Sequence, residues 1–161
     1  MPTNLYGPGD NFDPKGSHVL PALIRKVFEA RRRGERKLVV WGTGRPRREF
    51  LYSDDLAEAC VHLLNLPQGA YESLLTQKDA PLINIGSGED LTIRELAELV
   101  ARVLDFDCEL VFDTSRQDGT PQKLLDISRI RALGWKAKVS LEEGIRRTFA
   151  SAQSQLELAV Q

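Results

Sequence analysis

Two cysteines, two histidines, one methionine and a nearly cancelled charge are what this 161-residue sequence has least of, and each scarcity removes a class of protein. Neither Cys60 nor Cys108 has a second cysteine or a histidine at metal-ligand spacing, so a disulfide scaffold and a metal centre are both excluded from the reading. Both cysteines are expected as small core residues. With 22 Lys and Arg against 23 Asp and Glu, the net charge is −1. No general field then draws the chain to nucleic acid or to an anionic membrane, and neither is expected as a partner. No apolar run approaches the roughly 20 residues that cross a bilayer, and the first residues lack a basic-then-apolar leader. The cytoplasm is the expected location.

What is present suffices for a core: folding a chain of this length buries roughly 70% of its unfolded surface. The first residues, Met1-Pro2-Thr3-Asn4-Leu5-Tyr6-Gly7-Pro8, read like a loop leaving a strand, with no strand before it. Leu20, Leu23, Ile24, Val27 and Phe28 then form the i, i+3, i+4, i+7, i+8 stripe of a helix from Ser17 to Arg33. Pro21 fits that helix only in its first turn, and Gly34 is placed to end it. The three arginines before Gly34 read as a solvated helix end.

Strands are expected at Leu38–Trp41, Arg48–Tyr52, Leu82–Gly86 and Glu109–Phe112, with helices from Ser53 to about Leu66, from Thr92, up to Leu133-Gly134-Trp135, and from Ser140 onward. Thr92 with Glu95, and Ser140 with Glu143, have capping-box spacing, and Leu91 with Leu96 would be a hydrophobic staple. Residues 67–81 are polar and unpatterned and read as a surface loop. Strands alternating with helices and no internal repeat indicate an α/β fold. Ligands of such folds sit beyond the carboxyl ends of strands, which directs attention to Pro2–Phe12, Gly42–Arg48 and Ser115–Lys123.

Those loops hold no nucleophilic triad, no Walker loop and no metal cluster. Gly42-Thr43-Gly44 and Gly86-Ser87-Gly88 are G-x-G fragments without the third glycine of a dinucleotide fingerprint, and turns explain both. Lys26, Trp41, Arg47, Arg48 and Lys123 are more suggestive: a flat apolar ring and several cations are what a purine nucleoside diphosphate requires. On composition alone, Trp41 can equally be core and Arg48 a surface charge. His18, at a loop-to-helix junction, has the unperturbed pKa of about 6.5 that suits a general acid, or it merely satisfies a helix terminus. His62 reads as structural.

The string Pro2-Thr3-Asn4-Leu5-Tyr6-Gly7-Pro8-Gly9-Asp10-Asn11-Phe12, followed by Ser17-His18-Val19-Leu20-Pro21, closely resembles the GDP-L-fucose synthases, which are extended short-chain dehydrogenase/reductases. The likeness continues through Val40-Trp41-Gly42-Thr43-Gly44, Arg48-Glu49-Phe50-Leu51-Tyr52-Ser53-Asp54-Asp55-Leu56, Asn84-Ile85-Gly86-Ser87-Gly88 and Asp118-Gly119-Thr120-Pro121-Gln122-Lys123. It implies conversion of GDP-4-keto-6-deoxy-D-mannose to GDP-L-fucose, by epimerisation at C3 and C5 and NADPH reduction at C4. By the same resemblance, Pro2, Thr3, Asn4, Leu5 and His18 lie at the NADP(H) nicotinamide. His18 is also the catalytic acid of epimerisation, and Lys26, Trp41, Arg48, Asp118 and Lys123 bind the GDP-sugar.

The family's glycine-rich cofactor loop, its Ser-Tyr-x-x-x-Lys set and its epimerisation cysteine have no counterpart in these residues. Tyr6, Tyr52 and Tyr71 lack a lysine four positions on. The expectation is therefore one domain, residues 1–161: the carboxy-terminal, GDP-sugar-binding part of an extended Rossmann-type enzyme, with a few strands and helices that would complete the Rossmann sheet. The amino-terminal NADP-binding portion is absent, so little cofactor binding and no turnover are expected from the segment alone. That missing half, or self-association through exposed strand edges, is the expected protein partner. A noncatalytic GDP-sugar-binding module and part of a related nucleotide-sugar epimerase or dehydratase are the alternatives.

Overall fold

A computed structural model describes residues 1–76 and 81–159. In chain order the elements are β1 (Asn4–Tyr6), α1 (Val19–Arg32), β2 (Lys37–Trp41), β3 (Arg47–Tyr52), α2 (Ser53–Leu64), α3 (Gln68–Leu75), β4 (Asp90–Thr92), α4 (Ile93–Val103), β5 (Glu109–Asp113), β6 (Gln122–Lys123), α5 (Ser128–Ala132) and α6 (Leu141–Ala159). The expected α/β class holds. β3 is the hub of a four-stranded sheet, pairing in parallel with β1 and β6 and antiparallel with β4, while β2 and β5 form a separate parallel pair.

The main core lies where α1, α4 and α6 pack on one another and on the sheets. Leu20, Ile24 and Val27 of α1 meet Leu96 and Val100 of α4, Ile145 and Leu156 of α6, and Leu38 and Val40 of β2. A smaller cluster joins Leu51, Ala59, Ile85, Ile130 and Trp135. Helix boundaries follow local chemistry. Pro21 occupies the third helical position of α1, where no backbone N–H is required. At the other end Gly34 adopts φ +66, and the Gly34 and Glu35 N–H groups cap the Arg31 and Ala30 carbonyls. Thr92 and Glu95 close the expected capping box on α4, and the Ser140 hydroxyl accepts from the Glu143 N–H.

Four expectations are corrected. The surface loop at 67–81 contains α3, a helix that buries none of its residues and so leaves no apolar stripe to read; Gln77, Lys78 and Asp79 of that loop lie outside the described residues. The strand at Leu82–Gly86 reduces to one parallel bridge, Pro2 with Ile85, too short a ladder to count as a strand. Cys60 is exposed and not in the core, because α2 turns Asp55 and Ala59 inward and Cys60 lies one residue beyond that face. Cys108 precedes β5 and is only half-buried. The short strands β4 and β6 add to the expected set. No helix among the described residues is long and apolar enough to cross a membrane.

Candidate functional site

The site is built at the end of the small β2–β5 sheet. β2 alternates strictly, with Leu38 and Val40 inward and Lys37, Val39 and Trp41 outward, so Trp41 is 54% exposed and not part of the core. The Lys26 ammonium, on α1, stands 4.5 Å from the indole centre and donates to the Val39 carbonyl at 3.0 Å. Burial lowers the Lys26 pKa, and the facing Asp113 charge opposes that shift. Arg116 places its guanidinium 5.0 Å from the same ring. Asp113, the register partner of Trp41, accepts from the Ser115 hydroxyl at 2.6 Å and its N–H at 3.1 Å, which holds the carboxyl below its ordinary range.

The turn after β2 is shaped by what fills it. Gly42 has φ +81, and a Cβ there would lie 2.2 Å from an Asp118 oxygen. That carboxylate accepts from the Thr43 hydroxyl at 2.6 Å and the Thr43 N–H at 2.8 Å, bonds that lower its pKa. Arg48 donates to the Thr120 carbonyl at 2.6 Å and to the Arg47 carbonyl at 2.7 Å, and its β-register partner is Lys123. Lys26, Trp41, Arg48, Asp118 and Lys123 are therefore joined in one string of contacts through Thr43, Thr120 and the β3–β6 pairing. Arg48 and Asp118 already have hydrogen-bond partners within the protein, the exposed Trp41 ring carries the Lys26 and Arg116 cations, and Lys123 is exposed.

Six other sequence candidates remain: Arg47 donates to the Asp90 carboxylate at 2.8 Å, and the other five are not brought to that string. Thr3 and Asn4 both turn their side chains onto the Glu49 carbonyl, at 3.3 and 2.7 Å; Pro2 bridges to Ile85, and Leu5 packs on the smaller core. His18 is the N-cap of α1, yet its exposed ring makes no capping bond, so helix satisfaction is not its role. Both G-x-G turns are filled by the protein itself. A Cβ at Gly44 would meet Phe112 at 2.3 Å, one at Gly86 would meet Glu49 at 2.2 Å, and one at Gly88 would meet Ile127 at 2.6 Å. Close packing on those side chains accounts for the glycines at both turns among the described residues. The described residues contain no group of ligands that could hold a metal ion.

Two residues escaped the sequence reading. Glu49 is fully buried and accepts from the Gly88 N–H at 2.7 Å and the Leu125 N–H at 3.0 Å, tying the loop after Ile85 and the start of the β6–α5 connection to β3. Its signal was one acid between two arginines and the apolar end of β3. Arg116 had no signal beyond its charge. A cavity of about 360 Å³ lined by Tyr6, Phe50, Asp90, Lys138 and Leu141 shares no residue with the Trp41 string, whereas one of about 380 Å³ lined by Thr43, Arg94 and Phe112 meets it at Thr43.

Comparison with known proteins supplies the frame for this geometry. GDP-L-fucose synthase 1 of Arabidopsis thaliana is 53% identical over 149 residues, covering 92% of this chain and 43% of that protein. GDP-L-fucose synthase of Escherichia coli K12 is 50% identical over 151 residues, covering 92% of this chain and 46% of that protein. The chain thus spans less than half the length of these relatives and matches their carboxy-terminal part. A GDP-L-fucose synthetase from Naegleria fowleri, solved bound to NADP, superposes with a TM-score of 0.81 at 30% identity, covering 99% of this chain and 46% of that one. Residues 1–86 match the family described as NAD dependent epimerase/dehydratase. With its parallel α/β pairing and a fold shared over nearly its whole length, this chain belongs to the NAD dependent epimerase/dehydratase family.

Proposed function

We propose that residues 1–161 are the GDP-sugar-holding, carboxy-terminal part of an NADPH-dependent GDP-L-fucose synthase. In the whole enzyme, GDP-4-keto-6-deoxy-D-mannose is epimerised at C3 and C5 and reduced at C4 to GDP-L-fucose. The observation that carries this reading is the exposed Trp41 indole with Lys26 at its face, linked through Thr43, Asp118 and Arg48 to Lys123. A flat ring flanked by cations suits a base joined to a diphosphate. His18, exposed at the start of α1, is the proposed acid of epimerisation, and Pro2, Thr3, Asn4 and Leu5 are the proposed flank of the nicotinamide. NADP(H) itself needs groups that these residues do not supply, so the segment alone is inactive in this reading, and its setting is cytoplasmic.

The partner follows from the surface. β1 stands at the edge of its sheet, and Ala57, Cys60, Val61 and Leu64 make an exposed apolar stripe along α2, Leu64 being 76% exposed. Both are surfaces for an amino-terminal, cofactor-binding half, or in its absence for a second copy of this chain. Sedimentation of wild type against Val61→Glu plus Leu64→Glu tests that point, with less association expected of the variant. For the nucleotide, calorimetry should register GDP binding in preference to UDP and dTDP, and Trp41→Ala should weaken it at least tenfold. A folded wild-type chain that gives no heat at millimolar GDP would sink the proposal.

A further inference from the structure

Trp41 bears two cations, and they are not held alike. Lys26 is half-buried and fixed by its bond to the Val39 carbonyl. The Arg116 side chain is exposed, makes no hydrogen bond among the described residues, and rests on the indole with the Asp113 charge nearby. Arg48, the other arginine of the string, is bound to two backbone carbonyls. The backbone beneath Arg116 is anchored on both sides, by the Ser115 and Arg116 N–H groups on Asp113 and by Asp118 on Thr43. The side chain is therefore free to swing while the loop stays.

A base laid on this ring competes for it with a guanidinium. Lys26 is pinned, so Arg116 is the group that gives way. An exposed cation–π contact is weaker than a charge-assisted, bidentate bond to phosphate, and a diphosphate attached to the incoming base presents that alternative within side-chain reach. We propose that Arg116 is a phosphate-binding residue of this site: when a nucleoside diphosphate enters, its guanidinium leaves Trp41 to the base and closes on the phosphates. This rests on the nucleotide reading above and adds to it a residue that motif resemblance does not reach.

Calorimetric titration of the full chain with GDP and, separately, with guanosine tests the assignment in wild type, Arg116→Met, Arg116→Lys and Trp41→Ala. Arg116→Met should lower GDP affinity about tenfold, the worth of one charge-assisted bond. The same variant should leave guanosine affinity unchanged or raise it, by up to about fivefold, because the ring is uncovered. Arg116→Lys, which keeps the charge without the fork, should fall between wild type and Arg116→Met for GDP. A loss of less than twofold for GDP, or parallel losses for GDP and guanosine, overturns the assignment while leaving the site intact. Wild type that binds neither ligand, or Trp41→Ala that binds GDP as tightly as wild type, overturns the nucleotide reading and this inference with it. The melting curve of Arg116→Met should match wild type, since its side chain is exposed.

Discussion

Glu49→Gln is the substitution that most sharply connects fold and site. The native side chain is fully buried and accepts at both oxygens: Gly88 N–H and the Ser87 hydroxyl reach Oε1 at 2.7 and 3.5 Å, and Leu125 N–H reaches Oε2 at 3.0 Å. An amide of the same shape has one oxygen and one NH₂, so whichever way it turns, a donor faces a backbone donor. The variant loses one charge-assisted bond and leaves an N–H without a partner, together about 2–4 kcal/mol. For a chain of this size that is a fall in Tm of about 5–15 °C. Thermal and urea unfolding followed by circular dichroism measure the loss, and amide exchange locates it, since protection should drop first at Gly88 and Leu125. GDP affinity should fall too, because Glu49 directly follows, in β3, the Arg48 that holds Thr120. A destabilisation under about 0.5 kcal/mol, the size of an ordinary surface change, would refute the reasoning.

Two further expectations concern titration. Burial, with the Asp55 charge and then Tyr52 behind it, pushes the Tyr6 phenol well above the ordinary tyrosine range. A raised folded-state pKa gives stability that is complete below the unfolded value and fades as pH rises above about 10, by about 1.4 kcal/mol per pH unit; Tyr6→Phe should lack that component of the alkaline slope, and identical slopes in urea titrations would count against it. Asp118 is the opposite case, held low by the Thr43 hydroxyl and N–H, so its fastening of the loop is complete above the ordinary Asp value and lost as pH falls through the depressed one. Thr43→Val removes the hydroxyl donor, so the Asp118 midpoint in a carboxyl NMR titration should rise toward about 4, and an unmoved midpoint would show that the N–H alone sets it.

Much of this was legible from residues whose signal is local. The stripe Leu20, Leu23, Ile24, Val27, Phe28 and the Thr92 with Glu95 pair each encode a helix within a few positions, and both helices stand where the pattern placed them. The failures have a different physics. α3 buries nothing, so no periodicity marks it; Leu82–Gly86 is apolar, but pairing depends on a neighbour that offers only one bridge. Cys60 looked internal because apolar helical spacing alone does not tell which face is covered. At the site, Trp41 was identifiable as a ring among cations, yet its exposure depended on the phase of β2, and the contacts of Arg48 with Thr120 and of Asp118 with Thr43 span 72 and 75 residues. Such long-range partners leave no trace in spacing.

The phase of β2 also separates what holds the protein together from what it presents. Its inward residues Leu38 and Val40 are 1% and 2% exposed in the core against α1 and α4, while outward Val39 and Trp41 are 45% and 54% exposed. Val40→Ala removes two buried carbons and leaves part of their volume empty, a cost of about 2 kcal/mol, on the face of β2 opposite the Trp41 ring. Trp41→Ala removes a ring that is half in water and contributes little to the core. The two neighbours should therefore give opposite results: a lowered Tm with near-native GDP affinity for Val40→Ala, and a near-native Tm with lost affinity for Trp41→Ala. If both variants lowered Tm together, Trp41 with its two cations would be acting as structure, and the ring could not be available to a ligand.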